Sequence, residues 1–404
     1  MEINAAKCAV CLSESISDAD GFYKLQRVTS DSRIWPSGGR ITQCRTCGLV
    51  QKIVDPVFAD EIATVYATYD LYFQGVGKEQ KIFVEGVGRP RSELLSDFFF
   101  NTIPDFGKHS HPAWLDFGCG KGNLLSEISR KYPKCKLFGA DLSERNRDFI
   151  KGIPGVEDYI PGGVEAIRGE FDVFSLSHVL EHISQPLRFL KNVRTHIKAN
   201  GCLLIVVPNV LKNPFDLLVV DHCLHFTSAQ LVCVVQAAGF EVICLDEQVI
   251  PKELVLVARP DDGVHSIQSK ISESSTNSEL DNLIGLVNWL SSLVEWGKSR
   301  VIHSNAGLFG TALAATWLDH SCGPGFSFFV DEDMDRADTL YLGREVLTPS
   351  ETPANSEILV PLPSEIAVDI CRRLNAQNRS RYIEPPIIGN YQSFGMFTKK
   401  ELPC

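Results

Sequence analysis

The sequence predicts an α/β protein in three parts: a cysteine-anchored module, a doubly wound Rossmann-like domain, and a second Rossmann-like domain at the C-terminal end. Three observations carry that prediction. Two Cys-x-x-Cys pairs, "CAVC" and "CRTC", stand near the start of the 404-residue chain. From Ala113 to Pro260, short apolar runs alternate with amphipathic stretches, as strands and helices do in a parallel sheet. The alternation resumes beyond "PDDGVHSIQSKISESSTNSELDN", a polar, serine-rich gap without apolar periodicity. The expected boundaries are 1–75 for the module and a cleft-forming segment, 76–260 for the central domain, 261–282 for a linker and 283–404 for the last domain.

Composition narrows the function classes. A hydrophobic share of 44% with 22% charged residues is that of a soluble globular chain. The net charge of −11 argues against a general nucleic-acid binder, which needs a basic face, but leaves room for small anionic substrates. The start "MEINAAKCAVCLSES" lacks the basic and apolar regions of a signal peptide, and runs such as "CLLIVV" are too short to cross a bilayer. Thirteen cysteines at mostly irregular spacing fit a reducing cytoplasm better than a disulfide framework.

Four cysteines are regularly placed. Cys8 and Cys11 form one Cys-x-x-Cys knuckle and Cys44 and Cys47 another, with 32 residues between the pairs. Two such knuckles offer four thiolates in the tetrahedral arrangement of a structural zinc ion, whose binding would help fold a segment with little core of its own. Chance pairs or a redox pair are the alternative. Downstream, Tyr66, Tyr69 and Tyr72 recur every three residues, which suits either core packing or a tyrosine-lined substrate cleft. The internal "LYFQG" at Leu71 to Gly75 resembles a tag-removal site but reads as native sequence.

In the central domain, "AWLDFG" is expected as a strand, "KGNLLSEISRKY" as a helix and "CKLFGAD" as the second strand. "SERNRDFIKG" supplies a helix and "VEDYIPG" a third strand; "EFDVFSLSHVL" and "GCLLIVVPN" are buried strands either side of the helix "QPLRFLKNVRTHIK". "SAQLVCVVQAAGF" is a further helix, and "FEVICLDEQVIPKELVLVARP" a closing antiparallel hairpin. Ligands of such sheets sit beyond the carboxyl ends of the strands. There the first strand runs into "DFGCGKG", with Asp116, Gly118, Gly120 and Gly122, while Asn123 breaks the dinucleotide fingerprint. Asp141, followed by Leu142, ends the second strand 21 residues after Gly120, where a carboxylate can take both ribose hydroxyls. The alternating glycines after an acidic strand end resemble the S-adenosylmethionine (SAM) loop of class I methyltransferases. Many of these read the adenine amine with an acidic or amide residue after the third strand; Gly163 stands there, leaving backbone amides such as that of Val164.

Two histidine segments follow. "SLSHVLEHI" carries His178, Glu181 and His182, with the two histidines four apart as on one helix face. Without an obvious third ligand, cofactor-pocket contact for His178 and substrate contact for Glu181 and His182 are favoured over a metal pair. Beyond the fifth strand and Asn209, a further substrate candidate, "LVVDHCLHFTSAQL" packs Asp221, His222, Cys223 and His225 together. Spacing alone fits a metal site, an acid/base centre or a plain loop. The last domain repeats strand–turn–helix in "RVIHSNAGLFGTALAATWL", then "FSFFVDED", "REVLTP", "EILVPLP" and the helix "SEIAVDICRRLN". It reads as either a nucleotide-recognition fold or a structural lid.

The domain order, with "CAVC…CRTC", "YATYDLYFQ", "DFGCGKG", "SHVLEHI" and "VDEDMDRADTLYLG", resembles the three-domain sugar C-methyltransferases that act on nucleotide-linked 4-keto-deoxysugars. The resemblance covers essentially the whole chain. It implies SAM as cofactor, a structural zinc ion, and a Glu-His pair after the fifth strand, matched here by Asp221-His222. The family places a tyrosine two residues before that pair; Val219 stands there, so the tyrosine's role is either absent or supplied from elsewhere, for example by Tyr69 or Tyr72. His222 then acts as general base and Asp221 orients it or steadies an enolate, with His225 as a secondary candidate. The competing readings are an O- or N-methyltransferase of a sugar or glycan precursor, and a non-catalytic zinc-ribbon interaction protein.

Overall fold

A computed structural model describes residues 7–67, 79, 81–84, 87–108, 110–261, 263, 276–301 and 305–388. Tyr69 and Tyr72 lie outside these residues.

Seven strands make the central sheet: β1 (Ala113–Phe117), β2 (Lys136–Asp141), β3 (Val156–Pro161), β4 (Phe171–Ser177), β5 (Ile197–Pro208), β6 (Phe240–Asp246) and β7 (Glu253–Pro260). They run in the order β3-β2-β1-β4-β5-β7-β6, all parallel except β7, which pairs antiparallel with both β5 and β6. The order reverses at β1, which opens the crevice where ligands of doubly wound sheets bind. Alternation along the strands explains the layering. Phe117, Phe174, Leu176, Leu203 and Ile205 face one core with Phe189, Leu190, Leu231 and Val234 of two helices, Pro186–Arg194 and Ser228–Ala237. Trp114, Val173, Leu204 and Val206 face the other, with Leu95 and Phe99 of the helix Arg91–Thr102 and Leu124, Leu125 and Ile128 of the helix Asn123–Lys131. Both faces are covered, so the strands are apolar on both sides.

The N-terminal module is a small antiparallel sheet of Ile16–Asp18, Ile41–Cys44 and Val50–Lys52, followed by the helix Pro56–Ala67. Its fourth strand comes from far along the chain: Leu224–His225, in the loop beyond β5, pairs antiparallel with Val50 and Gln51. At the other end, a helix spans Thr276–Val301 and so begins inside the stretch expected as linker. The last sheet has six strands in the order Leu340–Tyr341, Arg344–Leu347, Phe326–Val330, Ala306–Phe309, Glu357–Leu359, Arg381–Ile383. All pairs are parallel except that of the first two. The helices Leu313–Cys322 and Ser364–Gln377 accompany this sheet. One continuous core joins Phe22, Leu25 and Val28 of the first module, Phe215 and Leu217–Val219 of the β5 loop, and Trp289, Trp317 and Phe329 of the last domain. No described helix is long and apolar enough to cross a membrane.

Candidate active site

The carboxyl edge of β1 carries the glycine loop. Gly118, Gly120 and Gly122 have φ of +75°, +51° and +72°, in the left-handed region that favours glycine. A Cβ on Gly118 would lie 2.5 Å from Val179 Cγ2, and one on Gly122 2.4 Å from Ile150 Cδ1. Val179 and Ile150 thus pack directly on the backbone of this loop at the start of a helix. Asp141 borders it, accepting from the Gly120 amide (3.1 Å) and the Ser143 amide (3.0 Å). Leu142 is 71% exposed beside it, whereas the Val164 side chain is buried beneath the third strand's exit. Asp116 is buried, accepts from Ser175 Oγ at 2.7 Å, and is pushed up to about 7 by burial. Glycines that admit a ligand to the backbone, with a carboxylate at the next strand end, fit an adenosyl cofactor.

At the end of β4 the expected helix face does not form. His178 has φ of +55°, and Leu180–His182 is a single 3₁₀ turn, so His178 and His182 take different partners. His178 lies between two carboxylates, Nδ1 2.8 Å from Glu181 Oε1 and Nε2 3.2 Å from Glu253 Oε1. Burial and the Arg91 guanidinium press its pKa down, but Glu253 and Glu181 outweigh them and raise it to about 9. His178 is therefore a charged node at neutral pH, locked into a network that Arg91 closes through Glu253 at 2.7 Å. Arg91 and Glu253 escape sequence reasoning, although a glutamate opening the apolar run "ELVLV" is the kind of signal that marks a buried partner.

The loop after β5 supplies the second half of the site. Asp216 is buried and takes two histidines: His222 Nδ1 at 2.6 Å from Oδ1 and His225 Nδ1 at 2.5 Å from Oδ2. Burial alone would raise the Asp216 pKa, but His225 and His222 hold it well below the usual carboxylate range. An ionised carboxylate only accepts, so each Nδ1–H donates to it and the neutral His222 ring keeps Nε2 as a lone pair. Burial lowers the His222 pKa while Asp216 raises it, and the rise prevails. The carboxylate that orients His222 is thus Asp216, not the adjacent Asp221. Asp221 is turned to the first module, accepting from Ser30 N at 2.9 Å and Ser30 Oγ at 2.5 Å. His225 is not at a pocket rim: it is fully buried, and its Nε2 has no partner.

Glu181 and His182 do meet this loop. The His182 ring stands edge-on to His222 with centroids 4.6 Å apart, and its Nδ1 lies 2.8 Å from the Asp221 carbonyl. Tyr66, the described member of the tyrosine repeat, reaches the same Nδ1 at 3.2 Å. Val219 is buried and its carbonyl accepts from the buried Lys52 ammonium, which burial lowers to about 8. Asn209 is buried at the loop's start, where its Oδ1 accepts from Leu211 N (3.1 Å) and its Nδ2 lies 3.4 Å from Glu247. That is a turn-holding role. In the first module, the sulfurs of Cys8 and Cys47 lie 3.4 Å apart, as do those of Cys11 and Cys44, and all four thiols are free of disulfides. This grouping is compatible with a tetrahedral zinc site.

Residues 89–245 match the family model described as "Methyltransferase domain", a span that holds the glycine loop, Asp141, His178 and the whole Asp216–His225 loop. The chain contains a class I SAM-dependent methyltransferase domain. Among curated proteins, it is 28% identical over 116 residues to the mitochondrial ubiquinone biosynthesis O-methyltransferase of Schizosaccharomyces pombe (strain 972 / ATCC 24843), covering 27% of this chain and 42% of that protein. It is 32% identical over 145 residues to the tRNA (guanine-N(7)-)-methyltransferase of Christiangramia forsetii (strain DSM 17595 / CGMCC 1.15422 / KT0803), covering 33% and 63%. The chain spans less than two thirds of the length of either relative. Among solved structures, human N-acetylserotonin methyltransferase in complex with SAM is similar at 20% identity over 50% of this chain and 56% of that one, with a TM-score of 0.36. Around the methyltransferase domain, the first module and the last domain both pack on the loop that carries His222.

Proposed function

We propose that this chain is a SAM-dependent methyltransferase that adds a methyl group to carbon on a nucleotide-linked 4-keto-deoxysugar. The observation that supports the reading is the Asp216–His222 pair, which lies beyond β5 at the carboxyl edge of the sheet, the side on which doubly wound sheets bind their ligands. SAM, held by the glycine loop and Asp141, supplies an electrophilic methyl on a sulfonium. The chain's own part is to make a carbon nucleophilic. A 4-keto group acidifies the proton on the neighbouring ring carbon, and His222 Nε2 takes that proton, leaving an enolate. Asp216 fixes the tautomer and steadies the imidazolium that forms. Such a positioned base contributes roughly 10²–10⁴-fold. Four thiolates from Cys8, Cys11, Cys44 and Cys47 hold a structural zinc ion that keeps the first module folded.

Incubation with SAM and a panel of nucleotide-linked keto sugars, read by product mass, tests the reading. Expected is a gain of one methyl on a keto sugar, with deuterium washing into the same ring carbon of unmethylated substrate in heavy water as the enolate is reprotonated. His222→Ala is expected to abolish methyl transfer while calorimetric SAM binding persists; unchanged turnover would remove His222 from the mechanism. A second reading, O- or N-methylation of a sugar or glycan precursor, is favoured by the likeness to the Schizosaccharomyces pombe enzyme, an O-methyltransferase. It predicts methyl transfer without deuterium at carbon. A non-catalytic scaffold predicts no SAM binding at all.

A further inference from the structure

Glu181, His182 and His222 converge from two loops, and one ligand atom of each lies within 4.8 Å of the other two. We propose that these three side chains form a second metal site, for a divalent transition ion of the Zn²⁺ or Co²⁺ type, separate from the four cysteines. Two imidazoles and one carboxylate are the donor set that such ions take, whereas Mg²⁺ and Ca²⁺ prefer oxygen alone.

An independent observation points the same way. Glu181 is fully buried, and although its Oε1 engages His178, its Oε2 has no hydrogen-bond partner. A buried carboxylate oxygen without a partner is costly, and a bound cation would offset that cost. The outer contacts fit a metal as well. Histidines that bind metals usually donate the other ring N–H to a carboxylate or a backbone carbonyl. His222 gives Nδ1 to Asp216 at 2.6 Å, and His182 gives Nδ1 to the Asp221 carbonyl at 2.8 Å. Each ring is thereby left with Nε2 as its lone pair. The two loops are tied together where they must be, since Cys223 N donates to the Glu181 carbonyl at 2.8 Å.

The site shares His222 with the proposed base, so the two uses exclude each other. With the ion bound, the Nε2 lone pair is engaged and no substrate proton can be taken. That consequence rests on the general-base reading; the metal site itself does not. In the full chain with the cysteine site saturated, elemental analysis after equilibration with Zn²⁺ and gel filtration is expected to find one more ion per chain in the wild type than in Glu181→Gln or His182→Ala. Calorimetric SAM binding by both variants shows that they fold. Asp216→Asn, which touches only the outer contact, is expected to weaken Zn²⁺ binding about 10–100-fold. A wild type holding only the cysteine-bound ion, or variants that keep the second one, would overturn the site. If His222→Ala loses turnover but not the second ion, the metal site is overturned while the base reading stands. Activation by Zn²⁺ would overturn the exclusion.

Discussion

Asp116 carries an acid's charge in a place that resists it. It is buried at the end of β1, and burial raises its pKa from 3.8 to about 7. A raised folded-state value means that the stability linked to this proton is fully present below pH 3.8 and lost as pH rises through about 7. Asp116→Asn removes the charge and keeps an oxygen for Ser175. In thermal melts without SAM, the variant is expected to match the wild type near pH 4 and to exceed it at pH 8, by up to about 4 kcal/mol for a shift of this size. A difference equal at both pH values would show that burial of the charge is not the cause. The same contrast governs what the sequence reveals about the site. His222 stands out because it follows an apolar strand beside a second acid. Asp216 does not, because "PFDLLVV" reads as an apolar run in which one acid looks incidental. The partner is chosen by the 3₁₀ turn Pro214–Leu218, which swings that acid under both histidines. No local pattern announces such a turn.

Single elements were legible wherever their pattern was local. The five parallel strands, the β6–β7 hairpin and the helix Ser228–Ala237 follow from apolar runs of the right length and period, and the structure starts that helix with a capping box of Thr227 and Gln230. The short strand Leu224–His225 was not legible, because its partner lies about 170 residues earlier and a two-residue strand has no period. Yet that pairing decides how His222 is held. Val220 N donates to the Val28 carbonyl at 2.7 Å, Lys52 N to the Cys223 carbonyl at 2.9 Å, and the Lys52 ammonium to the Val219 carbonyl. The first module is thus a clamp on the loop, and the zinc ion proposed at its four cysteines would brace that module. Removing zinc with a chelator, or replacing Cys44 with serine, is expected to speed amide exchange in residues 219–225 and leave β1 and β4 protected. Exchange rates in the loop that do not respond would separate the cysteine module from the positioning of His222.

The largest scale adds a coupling that neither the domain order nor any motif contains. Three segments that the sequence separates by polar stretches share one apolar core. Trp317 belongs to it, fully buried, with its indole N–H donating to the Gln26 carbonyl at 2.8 Å and its ring 5.7 Å from that of Phe215. Phe215 stands next to Asp216, so the last domain packs beside the carboxylate that holds His222 while the first module clamps the same loop. Independent domains would unfold in separate steps, since each would own its core. A shared core instead predicts one cooperative transition for the first module, the loop and the last domain together. Trp317→Ala leaves a large cavity at the junction and should cost about 3–5 kcal/mol. Calorimetry of the full chain is expected to show that loss in the shared transition, together with faster amide exchange around Asp216, more than 100 residues away in sequence. A melting step confined to the last domain, with exchange near Asp216 unchanged, would mean that the three segments touch without being coupled.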